Sequence, residues 1–268
     1  MPTVTVEGTT IHYIDTGGGA GGGTPLLLLH AFPLHSGMWQ PQLHAFSGRH
    51  RIIAPDFKGF GASDAPDEES TYSMANYADE VAGLLAALDL DEVVVVGLSM
   101  GGYVAFSLLD RHRPLVAGLV LADTRAGRDS EEVLAKRTDQ QQQVRSQGTV
   151  AVIDTLLDTL LSEHTQELRP EVVVEARRLM DNPSAGFVGA LEAMKSRPDA
   201  TAGLGAIDVP TLVLVGDHDK PSPPEVAKAM HEQIPGSRFT LLPNAGHLTN
   251  LEVPDAFNQA LGDFLERL

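Results

Sequence analysis

Short apolar blocks rich in branched side chains alternate with helix-length segments along most of this chain, and this alternation constrains the fold most strongly. The blocks are predicted strands, at residues 26–29, 51–54, 93–96, 119–122, 211–215 and 239–242. Between two of them, residues 74–88 repeat apolar side chains at helical spacing, which is typical of a helix that packs one face on a sheet. Strands joined by helices predict an α/β fold, with a mostly parallel, twisted sheet and helices on both faces.

The N-terminal residues alternate apolar and polar side chains over positions 3–15. This pattern predicts a pair of strands and not a secretion signal. The glycine-rich run 17–23 that follows leads into a strand and lacks a lysine, which favours a flexible hairpin connection over a phosphate-binding loop.

The strand rhythm stops after the sixth predicted strand. Residues 125–200 instead give several helical patterns, with Pro170 and Pro183 at or near the start of two of them. About 75 residues between consecutive strands is more than a crossover needs. We therefore predict a core domain of residues 1–124 and 201–268 and a helical cap, or lid, of residues 125–200.

Composition excludes several classes of function. The chain contains no cysteine, which rules out disulfides, thiol catalysis and thiolate metal sites. Its net charge of -17 argues against binding to nucleic acid or to acidic membrane surfaces. No apolar run approaches the ~20 residues that span a bilayer, and no His-x-x-x-His pair indicates a metal hydrolase. We expect a cytoplasmic protein without metal or cofactor. The sequence is compatible with a homo-oligomer.

The strongest chemical signal is the segment 93–106, in which a buried strand is followed by Gly-Leu-Ser-Met-Gly and then a helix. A tight turn of this kind holds a nucleophile in a strained conformation, and glycines two residues before and after it remove clashing side chains. Ser99 would then lie at the C-terminal edge of the sheet and at a helix N-terminus, where developing negative charge is favoured.

A serine nucleophile needs a base, and the base needs a carboxylate that orients it. His247 follows the last predicted strand, so it reaches the same sheet edge as Ser99. Asp217 and Asp219 both follow the strand 211–215, and we prefer Asp219. Asp123, at the end of the strand 119–122, is a third candidate acid, although a role as a cap for the turn into residues 125–200 is favoured for it.

An oxyanion also needs two hydrogen-bond donors. One is predicted to be the backbone N–H of Met100, the residue after the nucleophile. The other is assigned to the N–H of Phe32, because Pro33 in the same loop cannot donate. His30 is expected to orient this loop through hydrogen bonds.

These motifs together resemble the α/β-hydrolase superfamily along nearly the whole chain. The segments that carry the resemblance are 30–33, 56–63, 97–102, 216–219 and 245–247. Segments 196–199, 207–216, 221–224 and 247–254 are similar to a branch of small serine esterases that includes 3-oxoadipate enol-lactonase. In that family the acid is the fourth residue from the glycine that ends the strand, which supports Asp219. One departure is Ala31, where the family usually has glycine.

The serine nucleophile indicates acyl transfer, because dehalogenases and epoxide hydrolases of this fold use an aspartate at that position. We predict a carboxylesterase for small to medium ester or lactone substrates. Alternatives are a 3-oxoadipate enol-lactonase, a cofactor-free perhydrolase and, in a different class, a non-catalytic ligand receptor. The enol-lactonase would need a cationic anchor such as Arg125, Arg128 or Arg197, although helix surfaces carry arginines for solubility as well.

The substrate pocket is expected between the cap and the core. Its predicted walls are Phe32, Trp39, Met100 and Phe187, together with apolar positions in 152–161 and with Arg125 as a polar contact. Trp39 fits a role in core packing equally well.

Overall fold

The computed structural model describes residues 2–18 and 22–268, and within them eight strands form one sheet. The strands are β1 Thr3–Val6, β2 Thr9–Asp15, β3 Gly23–Leu29, β4 His50–Pro55, β5 Val93–Leu98, β6 Val116–Ala122, β7 Thr211–Gly216 and β8 Arg238–Leu242. Their order across the sheet is β1-β2-β4-β3-β5-β6-β7-β8. Strand β2 is antiparallel to both β1 and β4, and the other pairs are parallel. The predicted mostly parallel sheet and the N-terminal strand pair are confirmed.

Six helices accompany the strands of the sheet. They are α1 Gln40–Phe46, α2 Met74–Ala87, α3 Met100–Arg111, α9 Pro224–Gln233, α10 Thr249–Glu252 and α11 Pro254–Leu265. Helix α2 packs on α3, and α1 packs on α11. The apolar stripe predicted for residues 74–88 is the buried face of α2. Ser73 caps the N-terminus of this helix, because its hydroxyl accepts from the N–H of Asn76.

The middle strands of the sheet are covered on both faces. Every residue of β5 and β7 is buried. This is why the sequence shows continuous apolar runs there, where a half-exposed sheet would show alternation. Because β3, β5, β6, β7 and β8 run parallel, their C-terminal ends lie at one edge, and the loops that follow them meet there.

Between β6 and β7 the described chain forms five α-helices and no strand, in agreement with the helical patterns of the sequence. They are α4 Glu131–Gln147, α5 Val150–Leu160, α6 Glu163–Leu168, α7 Pro170–Leu179 and α8 Ser184–Lys195. We call residues 125–200 the inserted segment; its status as a separate cap stays a prediction. The short helix α6 was not predicted, since six residues are too few for an apolar period. It begins after Ser162, whose hydroxyl accepts from the N–H of Thr165.

Two further expectations concern the glycine-rich connection and membrane-spanning helices. Residues 19–21 of the predicted hairpin connection 17–23 lie outside the described residues. In the part of the chain that the structure describes, no helix has the length and apolar character that a membrane span requires.

Candidate active site

Ser99 occupies a sharp turn between β5 and α3. Its backbone has φ 55° and ψ -113°, a conformation that a residue other than glycine adopts only under strain. The turn is so tight that a Cβ on Gly97 would come within 2.5 Å of the carbonyl oxygen of Gly101. The N–H of Ser99 donates to the carbonyl oxygen of Ala122 in β6 at 2.9 Å, which fixes the turn against the sheet.

The structure brings Ser99, His247 and Asp219 together in one chain of hydrogen bonds. Nε2 of His247 lies 2.7 Å from Oγ of Ser99, and Nδ1 of His247 lies 2.9 Å from both carboxylate oxygens of Asp219. Because Asp219 accepts, Nδ1 carries the proton and Nε2 is free to accept the serine proton. All three side chains are buried, so water competes little with these bonds.

The two other candidate acids lie elsewhere. Asp217 accepts from the N–H of Ala245 at 3.2 Å and holds the ends of the two loops together. Asp123 lies within the sheet edge, where it accepts from the N–H of Gly216 at 3.0 Å and from the hydroxyl of Thr249. The expected role of Asp123 as a cap for the turn into residues 125–200 is therefore wrong, because its carboxyl group points towards β7 and α10.

Burial gives Asp123 unusual electrostatics. Its side chain is fully buried, and burial together with the nearby charge of Asp219 raises its pKa well above the usual range for an aspartate. Asp123 therefore retains its proton more readily than an exposed aspartate, so the structure places a weak acid near the carboxylate that contacts His247.

The loop after β3 carries the predicted oxyanion donor Phe32. The N–H groups of Phe32 and of Met100 have no hydrogen-bond partner among the described residues, so both are free to donate to a ligand. His30 holds this loop, as expected. Its Nδ1 lies 3.0 Å from the carbonyl oxygen of Ala31, and its Nε2 accepts from the N–H of Phe57 at 3.0 Å.

Two aromatic residues of the predicted pocket lie in different surroundings. Phe187 of α8 packs edge-on against Phe32, with 5.2 Å between ring centroids, so it joins the inserted segment to the oxyanion loop. Trp39 is 0% exposed and packs against Phe257 of α11 at 6.1 Å. Trp39 is therefore packed in the core, and its role as a wall of the substrate pocket stays a prediction.

Arg125 lines a cavity of about 580 Å³ beside α3, between Tyr103 and the segment 197–208. The residues that line it do not include Ser99, His247 or Asp219. Three basic residues on its wall are balanced by three acidic ones, namely Arg113, Arg125, Arg197, Asp110, Asp199 and Asp208. The wall therefore has no net charge that would attract an anion.

Arg197 is held in place by other protein groups. Its side chain is 4% exposed, its guanidinium pairs with Asp129 at 2.8 Å, and it lies 4.2 Å from the ring centroid of Tyr103. It also donates to the carbonyl oxygens of Met194 and Gly127 at 2.8 Å. Both terminal nitrogens of the guanidinium thus have partners, and only the buried Nε lacks one among the described residues, so Arg197 is not a free anchor for a substrate carboxylate.

Sequence reasoning missed two buried polar residues that connect the inserted segment to the site. Asn182 donates to the carbonyl oxygen of Pro33 at 2.8 Å and accepts from the N–H of Gly61 at 2.7 Å. Glu252 contacts both the loop of His247 and the inserted segment. The only signal for Glu252 was its place in the segment 247–254 that resembled the esterase branch, and periodicity gives no reason to expect a buried carboxylate there.

A family model described as alpha/beta hydrolase fold matches residues 24–254. The chain belongs to the α/β-hydrolase family. Among solved structures, this α/β hydrolase is similar to a thermophilic esterase from Thermogutta terrifontis, at 39% identity over 99% of this chain and 96% of that one, with a TM-score of 0.92. It is also similar to the enol-lactonase from Burkholderia xenovorans, at 30% identity over 99% and 100% of the chains, with a TM-score of 0.90.

Among curated proteins, the α/β hydrolase is 26% identical to 3-oxoadipate enol-lactonase 1 of Acinetobacter baylyi, over 87% of this chain and 85% of that protein. The predicted similarity to enol-lactonases is thus confirmed. The esterase and lactonase relatives support a role as a hydrolase.

Proposed function

We propose that this α/β hydrolase is a serine esterase that cleaves small to medium carboxylic esters or lactones through an acyl-enzyme. The observation that carries the proposal is the continuous contact from Ser99 Oγ to His247 Nε2 at 2.7 Å and from His247 Nδ1 to Asp219 at 2.9 Å. This arrangement supplies a nucleophile, a base and an orienting carboxylate in hydrogen-bond range.

In the first half of the reaction, Oγ of Ser99 attacks the carbonyl carbon of the ester as its proton passes to Nε2 of His247. The carbonyl oxygen becomes an oxyanion, which accepts from the free N–H groups of Phe32 and Met100. Asp219 stabilises the imidazolium that forms. The tetrahedral intermediate then collapses, the C–O bond to the alcohol breaks, and His247 donates its proton to the leaving oxygen.

In the second half, His247 takes a proton from water, and the hydroxide oxygen attacks the carbonyl carbon of the acyl-enzyme. The second tetrahedral intermediate uses the same two N–H donors. Its collapse returns the proton from His247 to Ser99 Oγ and releases the carboxylic acid. A lactone follows the same steps, except that the leaving oxygen stays attached to the product.

The inserted segment acts in this proposal as a cap, with residues 125–200 covering the substrate and residues 1–124 and 201–268 forming the core. Its contacts with the oxyanion loop support this role, because Phe187 packs on Phe32 and Asn182 binds Pro33. A cap of this kind excludes water and strengthens the electrostatic interactions within the site.

Enol-lactone hydrolysis is the second candidate, and it is favoured by the similarity to the enol-lactonase from Burkholderia xenovorans. The small number of arginines that could bind the substrate carboxylate argues against it. Arg197 is paired with Asp129, and Arg128 is exposed on the surface, so Arg125 is the remaining anchor of the three. The higher identity to the Thermogutta terrifontis esterase supports the ester reading.

A kinetic comparison of wild type and Ser99→Ala tests the proposal. The substrates are short and medium p-nitrophenyl esters, simple lactones and 3-oxoadipate enol-lactone. We expect turnover of neutral esters by the wild type and loss of turnover in Ser99→Ala with the fold intact by circular dichroism. Activity confined to the enol-lactone would favour the second candidate. No turnover of any substrate would contradict the proposal and favour a ligand receptor.

A further inference from the structure

The carboxylate of Glu252 accepts four hydrogen bonds in a buried position. Its Oε1 accepts from the N–H groups of Gly246 and Leu248 at 3.0 and 3.1 Å, and these two residues flank His247. Its Oε2 accepts from the N–H of Ser162 at 2.9 Å and from the hydroxyl of Thr165 at 2.7 Å. One carboxylate therefore joins the backbone on both sides of His247 to the inserted segment.

The charge of Glu252 strengthens this link. The residue is 1% exposed, and no lysine, arginine or histidine of the described residues forms a salt bridge with it. A buried carboxylate is costly unless donors satisfy its oxygens, and hydrogen bonds to a charged acceptor are stronger than those between neutral groups. The four donors are thus bound tightly, and a neutral side chain of the same shape would bind them less well.

Other contacts also join the loop of His247 to the inserted segment. The N–H of His247 itself donates to the carbonyl oxygen of Leu160 in α5 at 2.8 Å. A Cβ on Gly246 would lie 2.6 Å from the backbone nitrogen of Ser162, so the two backbones touch without room for a side chain. Arg169 at the start of α7 donates to the carbonyl oxygen of Glu252 at 2.7 Å. The loop of His247 therefore contacts the inserted segment at residues 246, 247 and 252.

We propose that Glu252 is a positioning residue that fixes His247 opposite Ser99 only while residues 160–165 of the inserted segment are docked on the loop. Ser99 and Asp219 contact the ring nitrogens of His247. Its backbone N–H is bound by Leu160, and Glu252 binds the N–H groups of the residues on either side of it. Movement of the inserted segment therefore moves the base as well. This inference rests on the proposed function, because it assigns to the segment control over the catalytic histidine.

The central variant is Glu252→Gln. An amide has one acceptor oxygen and one NH2 donor group, so in either orientation the NH2 group faces two donors of the protein. The loop must shift to relieve this contact. We expect kcat to fall by about 10- to 100-fold, because a misplacement near 1 Å costs on this order, while KM for a p-nitrophenyl ester stays within about twofold. The matched control is Glu266→Gln, at a 71% exposed side chain, which should keep wild-type kcat.

A second variant acts from the side of the inserted segment. Thr165→Val removes one donor to Oε2 and leaves the bonds of Oε1 to Gly246 and Leu248 in place. It keeps the shape of the side chain and removes no charge, so we expect it to disturb the fold less than Glu252→Gln does. We expect kcat to fall by about 3- to 10-fold with KM unchanged, as loss of one charge-assisted hydrogen bond implies.

The position of His247 can also be followed without activity. In the Ser99→Ala protein, the proton on Nδ1 of His247 gives a downfield NMR signal through its bond to Asp219. We expect this signal to shift or broaden in Glu252→Gln and Thr165→Val but not in Glu266→Gln. A merely structural role elsewhere in the fold would lower stability and leave the signal of the folded protein unchanged.

The outcomes separate this inference from the proposed function. If wild type cleaves no substrate, the proposed function fails, and the NMR signal still decides whether Glu252 positions His247. If wild type is active and both variants keep its kcat and its NMR signal, the inference fails alone. A fall in kcat together with a shifted signal in both variants supports it.

Discussion

Gly59, in the loop after β4, and Gly186, in α8 of the inserted segment, pack backbone against backbone. A Cβ on either residue would overlap atoms of the other. The contact lies one residue from Phe187, which packs on Phe32 of the oxyanion loop. The inserted segment is thus docked on the core by a contact that only two glycines allow.

Gly186→Ala tests this contact, because the sign of the change in the free energy of unfolding depends on whether the two backbones touch. In an ordinary helix position, alanine is more favourable than glycine by about 1 kcal/mol. Here the added methyl group has no space, so we expect the free energy of unfolding to decrease by about 1–3 kcal/mol. Urea unfolding measures the change, with Ser184→Ala at an exposed position of the same helix as control. Stabilisation by Gly186→Ala would mean that the two backbones do not touch.

The choice between Asp219 and Asp217 gives a second prediction. Only Asp219 contacts His247, whereas Asp217 binds the N–H of Ala245. Asp219→Asn would allow the wrong tautomer of His247, so we expect kcat on a p-nitrophenyl ester to fall by about 10⁴-fold. The matched variant Asp217→Asn should retain kcat within a few-fold. A dead Asp217→Asn with an active Asp219→Asn would reverse the assignment.

The sequence predicted the middle of the sheet well because the middle strands are buried on both faces and appear as apolar blocks. Ser99, Asp219 and His247 lie after the parallel strands β5, β7 and β8, so their meeting at one sheet edge could be inferred from the chain order. Contacts between the inserted segment and the core were not predictable in this way. Glu252 and Asn182 are polar residues whose partners lie far away in sequence, and no local pattern encodes such partners.

The surroundings of Trp39 and Arg197 also depend on partners that lie far away in sequence. Both residue types fit a pocket wall, and only the packing of distant elements decides where they lie. Trp39 meets Phe257 of the C-terminal helix, and Arg197 meets Asp129 across the base of the inserted segment.

His30 gives a prediction for the pH dependence of stability. Burial lowers the pKa of His30 to about 4, and its two hydrogen bonds require a neutral ring, with Nδ1 donating and Nε2 accepting. Above pH ~6.5 the ring is neutral in both states, and the full stability is present. Between pH ~6.5 and ~4 only the unfolded chain binds the proton, so the free energy of unfolding decreases by up to about 1.4 kcal/mol per pH unit.

The variant His30→Gln isolates this contribution. It has no group that titrates in the window, so the slope of unfolding free energy against pH should become shallower by up to one proton. Chemical denaturation at several pH values between 4 and 7 measures the slope. His164→Gln, at an exposed histidine of α6, serves as control and should keep the wild-type slope. Equal slopes for all three proteins would mean that the pKa of His30 is the same in the folded protein as in the unfolded chain.

The ion pair between Arg197 and Asp129 gives the last prediction. Asp129 also binds Arg137 at 2.7 Å, and the side chains of Asp129 and Arg197 are 2% and 4% exposed. Asp129→Ala would leave the guanidinium of Arg197 buried without its carboxylate. Breaking a buried pair from one side costs about 3–5 kcal/mol, so we expect a decrease of that order in the free energy of unfolding. The control is Asp208→Ala, which removes the partner of Arg113 at a 72% exposed side chain. It should lower the free energy of unfolding by less than about 1 kcal/mol.

Urea unfolding of the two variants also tests the enol-lactone alternative. Equal, small losses in the two variants would mean that Arg197 is accessible to solvent, and it would then be available again as an anchor for a substrate carboxylate.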